Sequence, residues 1–125
     1  MGYAVFRPGE LDFADRGDGS GRRLYALSDR LTQTRARFWR YPPGARGRRH
    51  AEHVQEELFV VLEGTLTMLL GDPPERAELP RGSVCAVEPG TPLQVRNHGE
   101  TDLLLLIVGA PPVESGADYF PDVEA

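Results

Sequence analysis

Short apolar and β-prone runs alternate with turn signals along most of this chain. The breaks between runs are rich in glycine, proline, asparagine and aspartate, which preset or permit the dihedral angles of tight turns. No segment carries a convincing helical period of apolar positions. The regular spacing of runs and turns therefore predicts an all-β sandwich or barrel. The predicted strands cover residues 32–41, 58–62, 65–70, 76–79, 83–87, 93–97 and 103–109.

The segments on either side of this core carry weaker signals. Residues 3–7 and 22–28 are typical of strands, and the stretch 15–21 between them is loop by composition. The C-terminal tail is rich in proline and acidic residues, so we expect it to lie over the surface rather than form an element. We expect one domain with three parts. Residues 1–31 form N-terminal strands and a loop that pack on the barrel or on a partner subunit. Residues 32–109 form the barrel core, and residues 110–125 form the tail.

Composition and charge narrow the classes of function. The chain has 125 residues, the size of one ordinary domain, and a formal net charge of −5, which argues against a nucleic-acid partner. All 14 basic residues are arginine, so the chain offers no lysine for Schiff-base chemistry. Six arginines lie between residues 35 and 49. They either steer an anionic small molecule or form a solvated strand face and loop.

No segment predicts a membrane span or an export signal. The longest apolar run, residues 103–108, is far too short to cross a bilayer, and the N-terminus lacks the charged start and long apolar core of a secretory signal. We therefore expect a cytoplasmic protein with no membrane partner. The single cysteine, Cys85, lies in an apolar run and is predicted to be a buried structural thiol.

The segment 44–64 contains the residues most suited to chemistry. Two histidines and three carboxylates fall within eight residues, directly before an apolar strand: His50, Glu52, His53, Glu56 and Glu57. Imidazole nitrogens and carboxylate oxygens are ligands that suit iron, zinc, manganese or nickel. Side chains that enter one pocket from one strand can share an ion.

This segment resembles the first motif of the cupin family, G-x5-H-x-H-x3,4-E-x6-G. Gly44, His50, Glu57 and Gly64 match that pattern with the correct spacing. At the position of the family's second histidine this chain has Glu52, and His53 comes one residue late.

The second cupin motif, G-x5-P-x-G-x2-H-x3-N, aligns with residues 82–97. Gly82, Gly90 and Asn97 match, whereas Glu88 replaces the proline and Leu93 stands in place of the histidine ligand. Because leucine cannot coordinate a cation, the usual shell of three histidines and one glutamate is impossible. The resemblance implies a single-domain double-stranded β-helix, that is, a jelly-roll barrel of six or more antiparallel strands with a pocket at its mouth.

Three interpretations of the site follow. In the first, His50, Glu57 and either Glu52 or His53 hold one divalent metal (Fe, Mn, Ni or Zn). Glu52 and His53 are alternatives because adjacent residues of a strand normally point to opposite faces. Without metal, His53 or His50 could act as a general base with Glu57 as catalytic partner. The third interpretation is a degenerate barrel in which these groups only hydrogen-bond one another. The predicted pocket wall is Phe38, Phe59, Val61, Leu93 and Val95, with Trp39 and Tyr41 assigned to the core or to a subunit interface.

The resulting functional hypothesis is an enzyme that acts on a small organic molecule, such as a carboxylate, in the barrel pocket. The alternative is a non-catalytic cupin that binds or senses a ligand without metal. Exposed sheet edges and the additional N-terminal strands also predict a homodimer.

Overall fold

Two antiparallel β-sheets form the body of the molecule. The computed structural model describes residues 2–27, 30–112 and 116–123. Within these residues a short 3-10 helix at Pro8–Glu10 precedes eleven strands. The strands are β1 (Ala14–Asp15), β2 (Arg23–Ala26), β3 (Arg35–Tyr41), β4 (His50–Glu52), β5 (Glu56–Glu63), β6 (Leu66–Leu70), β7 (Glu75–Leu79), β8 (Val84–Val87), β9 (Leu93–Arg96), β10 (Leu103–Ala110) and β11 (Ala117–Tyr119).

The strand order confirms the jelly-roll prediction. The first sheet has the order β1-β2-β3-β10-β5-β8, and the second has the order β11-β4-β9-β6-β7. The late strands β10 and β9 therefore lie between earlier strands of each sheet, so the chain winds through both sheets rather than running as a simple meander. No helix in the described parts of the chain has the length and apolar character needed to cross a bilayer.

One apolar cluster joins the two sheets. Inward-facing side chains of both sheets contribute to it, and the most deeply buried include Phe59, Val61, Leu66, Met68, Leu93, Leu103 and Leu105. Because side chains alternate along each strand, this cluster uses every second residue of β3, β5, β6, β9 and β10. These buried side chains hold the two sheets together.

A second apolar cluster lies on the outer face of the first sheet. It contains Phe13 and Leu27 from the N-terminal region together with Ala36, Phe38 and Leu104. Strand β2 pairs with β3 of the same chain, which brings the N-terminal residues over this face. Strand β3 is therefore covered on both faces.

The sequence-based strands of the core are confirmed, with ends shifted by up to three residues, but the flanks differ from expectation. Residues 3–7 form no strand, and the predicted strand 22–28 is observed as Arg23–Ala26, with Ser28 outside the described residues. The tail forms strand β11, contrary to expectation, by pairing Ala117–Tyr119 with His50–Glu52. Both β4 and β11 are short and lack an apolar pattern, because backbone hydrogen bonds rather than buried side chains define them.

Gly64 closes the turn between β5 and β6. Its φ is +78°, and a Cβ at this position would lie 2.6 Å from the Asp102 carbonyl oxygen. Non-glycine residues are strained in this backbone region, and here the added atom would also collide with the neighbouring main chain. The motif glycine at position 64 is thus required by the fold, irrespective of any chemistry.

We expect Gly64→Ala to lower the free energy of unfolding by about 1–3 kcal/mol from the backbone term alone, with a further loss from the collision. Urea denaturation followed by circular dichroism measures the change. Gly82→Ala is the matched control, because Gly82 has φ +91° and no heavy atom within 4 Å of its Cβ position. An equal loss in both variants would show that the contact with Asp102 contributes nothing.

Candidate functional site

A cavity of about 1090 Å³ opens at the end of the barrel that carries the polar motif. Its walls come from strands β2, β3, β4, β5, β9 and β10, from the loops that contain Arg22 and Arg46, and from Tyr119 and Asp122 of the C-terminal segment. Apolar side chains at its floor include Phe59, Leu93, Val95 and Ile107. Charged side chains surround the upper part, and the cavity is large enough for a small organic molecule.

Three titratable side chains meet inside this cavity, and we call them the His–Glu cluster: His50, Glu52 and Glu57. One ligand atom from each lies within 4.8 Å of the others. His50 Nε2 is 3.3 Å from Glu52 Oε2 and 3.6 Å from Glu57 Oε1. Since His50 and Glu52 belong to β4 and Glu57 belongs to β5, the cluster bridges the two sheets.

The backbone carbonyl of Arg48 fixes the orientation of the His50 ring. His50 Nδ1 is 2.9 Å from Arg48 O, and a carbonyl oxygen can only accept, so Nδ1 carries a proton and donates it. The other ring nitrogen, Nε2, therefore faces the two carboxylates. A neutral Nε2 would direct its lone pair at carboxylate oxygens, so the arrangement requires a proton on Nε2 or a cation shared by all three groups.

Burial and charge act in opposite directions on the pKa of His50. Burial alone would lower this pKa, but the Glu57 carboxylate, the Arg48 carbonyl and the Glu52 carboxylate outweigh it, so the pKa is raised above its usual value. The pKa of Glu52 is also raised, first by burial and then by the charge of Glu57, against the opposing effects of His50, Arg35 and Arg37. The cluster therefore favours the binding of positive charge.

Glu57 is the most buried carboxylate of the cluster. The residue is only 8% exposed, and its Oε1 atom has no hydrogen-bond partner among the described residues. His50 Nε2, at 3.6 Å from this oxygen, is beyond ordinary hydrogen-bond distance. A buried carboxylate oxygen without a donor is costly unless a cation or a ligand group meets it.

The other histidine of this segment, His53, lies apart from the cluster. Its Nε2 is 2.9 Å from Asp118 Oδ1, and the His53 side chain is about half exposed. His50 and Glu52 are alternate residues of β4 and share one face, whereas His53 follows the end of that strand. Of the two alternatives for the second ligand, the structure brings Glu52 rather than His53 beside His50 and Glu57.

Of the five residues of the predicted pocket wall, three line the cavity and two do not. Phe59, Leu93 and Val95 line the cavity. Val61 lies in the apolar core and is not among the lining residues.

Phe38 requires a correction, because it belongs to the outer apolar cluster and points away from the cavity. The alternate residues Trp39 and Tyr41 line the cavity instead. The N-terminal residues that cover the outer face of β3 cause this reversal, since they supply apolar partners for Phe38.

Several cavity residues lie outside the predicted pocket wall, although Arg35 and Arg37 belong to the arginine-rich stretch 35–49 noted in the sequence. Arg35, Arg37 and Gln55 line the cavity, as does Tyr119 from the tail. The two arginines lie on the same face of β3 as Trp39. Knowing which face of β3 points into the cavity would therefore have identified them as lining residues. Nothing local predicts that Tyr119 reaches the cavity, because its position depends on the pairing of β11 with β4.

The C-terminal segment 117–123 forms one side of the cavity entrance. Tyr119 packs against the Arg48 guanidinium at 3.6 Å. The buried Gln94 side chain donates to Asp122 Oδ1 at 2.9 Å and accepts from the Val123 backbone N–H at 2.9 Å. Arg46 forms an ion pair with Asp122 at 2.9 Å. These contacts fix the segment across the end of β9.

Comparison with known proteins agrees with this architecture. The family model described as Cupin domain matches residues 37–109. The protein MJ1618 of Methanocaldococcus jannaschii is 31% identical over 71 residues, which cover 57% of this chain and 55% of that protein. The chain therefore spans only about half the length of this curated relative.

Solved structures share the fold at low identity. KdgF from a Halomonas species superposes with a TM-score of 0.76 and 19% identity, covering 90% of this chain and 96% of that chain. A sugar phosphate isomerase of the cupin superfamily from Silicibacter pomeroyi gives a TM-score of 0.66 and 27% identity, covering 72% of this chain and 59% of that chain.

Proposed function

Because the chain belongs to the cupin family, we propose that it binds a small organic molecule in the barrel cavity and acts on it with a divalent cation held by the His–Glu cluster. The observation that carries this proposal is the convergence of His50 Nε2, Glu52 and Glu57 on one point inside the cavity. The similar structure from Silicibacter pomeroyi, described as a sugar phosphate isomerase, supports action on a small molecule.

The geometry of the cluster suits a first-row transition metal. Ligand atoms about 2.1 Å from a shared cation lie roughly 3.0–3.4 Å from one another in octahedral or tetrahedral geometry. The distances from His50 Nε2 to the two carboxylates are 3.3 and 3.6 Å. One imidazole and two carboxylates form a donor set that suits iron, manganese, nickel or zinc. The buried Glu57 Oε1 without a donor fits the same role.

The residues around the cluster would each contribute a distinct effect. A bound cation would supply Lewis-acid polarisation of a substrate oxygen. Arg48 holds the His50 ring through its carbonyl, so Nε2 stays directed into the cavity. The apolar side chains of Phe59 and Leu93 exclude water from one side of the cluster.

A metal-free acid–base enzyme is the second candidate. The observation in its favour is the raised pKa of His50, which allows a proton rather than a metal ion to occupy the space between Nε2 and the carboxylates. A non-catalytic ligand-binding cupin would use the same cavity. Metal content and metal affinity distinguish the first proposal from both alternatives.

We expect the purified chain to bind one Mn²⁺ or Zn²⁺ with an affinity that falls at least about tenfold in His50→Ala and in Glu57→Ala, because each variant removes one ligand. Equilibrium dialysis with elemental analysis measures this. His53→Ala is the matched control and should bind as the unaltered chain does. Folded protein that binds neither ion, or loss confined to His53→Ala, would contradict the proposal.

Leu93→His offers a test by gain rather than loss. Leu93 lines the cavity and pairs directly with His50 across β9 and β4. A histidine at this position would add a fourth ligand, so we expect Mn²⁺ or Zn²⁺ affinity to rise at least about tenfold. Val95→His, two residues along the same face of β9, is the control and should give no such gain. Equal affinities for Leu93→His and the unaltered chain would refute the alignment of the second motif.

We further propose that the chain forms a homodimer through the edge of the first sheet. Strand β8 is an edge strand, and its Val84 is 56% exposed. Leu58 on the neighbouring β5 is 44% exposed. An apolar edge of this kind favours pairing with a second copy.

Light scattering after gel filtration should give twice the monomer mass, and Val84→Lys should give the monomer mass, because a charged edge disfavours strand pairing. Val5→Lys is the control, since Val5 is also exposed but lies in the N-terminal segment before the strands. A monomer mass for the unaltered chain at all concentrations would overturn the proposal.

A further inference from the structure

Two arginines of β3 line the cavity close to the His–Glu cluster. Arg35 and Arg37 are alternate residues on the face of β3 that also carries Trp39 and Tyr41. The Arg37 guanidinium lies 5.8 Å from the centre of the Trp39 ring. Both charges are partly buried on one wall of the cavity.

Strand register places Arg35 level with the cluster. Arg35 pairs with Gly109 of β10, and Gly109 pairs with Glu57 of β5. Neighbouring strands are about 4.8 Å apart, so the backbones of Arg35 and Glu57 are separated by roughly 10 Å. This span accommodates an arginine side chain and a small ligand group between the two strands.

The cavity arginines differ in whether they have a partner. Arg22 forms an ion pair with Asp18 at 2.8 Å, and Arg46 forms one with Asp122. Among the described residues, no carboxylate or hydrogen-bond acceptor pairs with the guanidinium of Arg35 or Arg37. Burial and the neighbouring charge of Arg35 lower the pKa of Arg37, against the opposing effects of Glu57 and Glu52. Glu52 and Glu57 attract these charges through space, but no acceptor in the described part of the chain contacts either guanidinium, so the N–H groups of both remain available to an anionic ligand.

Gln55 supplies an independent observation on the same wall. Its residue is 5% exposed, it lines the cavity, and its Nε2 has no hydrogen-bond partner among the described residues. A Cβ at Gly109 would lie 2.8 Å from Gln55 Oε1, so the amide lies directly over Gly109. The Gln55 amide therefore lies between the strands that carry Arg35 and Glu57, with an unused N–H donor.

We propose that Arg35, Arg37 and Gln55 form a binding subsite for a carboxylate group of the substrate. The inference rests on the proposed function, because it places the acid group of the substrate beside the His–Glu cluster. Two guanidinium forks and an amide N–H match the planar arrangement of carboxylate oxygens. A carboxylate also fits better than a phosphate dianion, because Glu52 and Glu57 face the subsite and repel a doubly charged group more strongly.

Trp39 fluorescence reports directly on this subsite, since Trp39 is the single tryptophan of the chain and contacts Arg37. We would titrate the full chain in EDTA with benzoate and with propionate, each beside its neutral amide, and record Trp39 emission. Both acids should give a saturable change, and benzamide and propionamide should give none. Affinity should fall at least about tenfold in Arg35→Met and in Arg37→Met.

Arg40→Met is the matched control, because Arg40 belongs to the same strand but faces away from the cavity toward Glu63 and Asp102. It should bind both acids as the unaltered chain does. Arg37→Lys keeps the positive charge, Gln55→Leu keeps the approximate volume, and both should weaken binding. These variants keep the test valid if a methionine variant does not fold.

Absence of a saturable response to either acid would overturn the subsite. An unchanged response in the folded Arg37 and Gln55 variants would do the same, as would binding of inorganic phosphate without binding of the acids. Because EDTA removes divalent cations, this result is independent of the metal proposal. Conversely, dialysis of Mn²⁺ without any acid tests the cluster alone, and Arg37→Met should not weaken that binding, since it removes a positive charge near the cation.

Discussion

The His–Glu cluster imposes the central electrostatic constraint on this molecule. An imidazole whose Nδ1 donates to a backbone carbonyl directs Nε2 toward two carboxylates in a cavity with an apolar floor. Such a group is stable only when positive charge lies between the three side chains. Because its members come from different sheets, this electrostatic requirement also joins the two halves of the barrel. The candidate site therefore lies where the two sheets meet.

Much of the barrel could be predicted because its core strands carry local signals. Apolar runs bounded by turn residues marked β5, β6, β9 and β10, and the spacing of Gly44, His50, Glu57 and Gly64 marked the family. Those glycines and the turn signals act within a few residues of chain. Backbone geometry of that kind can be read from the sequence alone.

The sequence did not show in the same way which face of β3 points into the barrel. Both faces of this strand are apolar because the N-terminal region covers the outer one, so alternation did not distinguish Phe38 from Trp39. Likewise, His53 and Glu52 were equivalent candidates until the ends of β4 were known. In each case the deciding contact comes from residues distant in sequence, which a local pattern does not contain.

The C-terminal segment gives the protein a separable means of adapting. Residues 117–123 shape the entrance through Tyr119 and Asp122, yet they contribute nothing to the apolar core. Tyr119 itself is more than half exposed, so a change of its size would alter that entrance without disturbing the apolar interior. Variation in access to the cavity can therefore accumulate at this position, where the side chain packs on the surface.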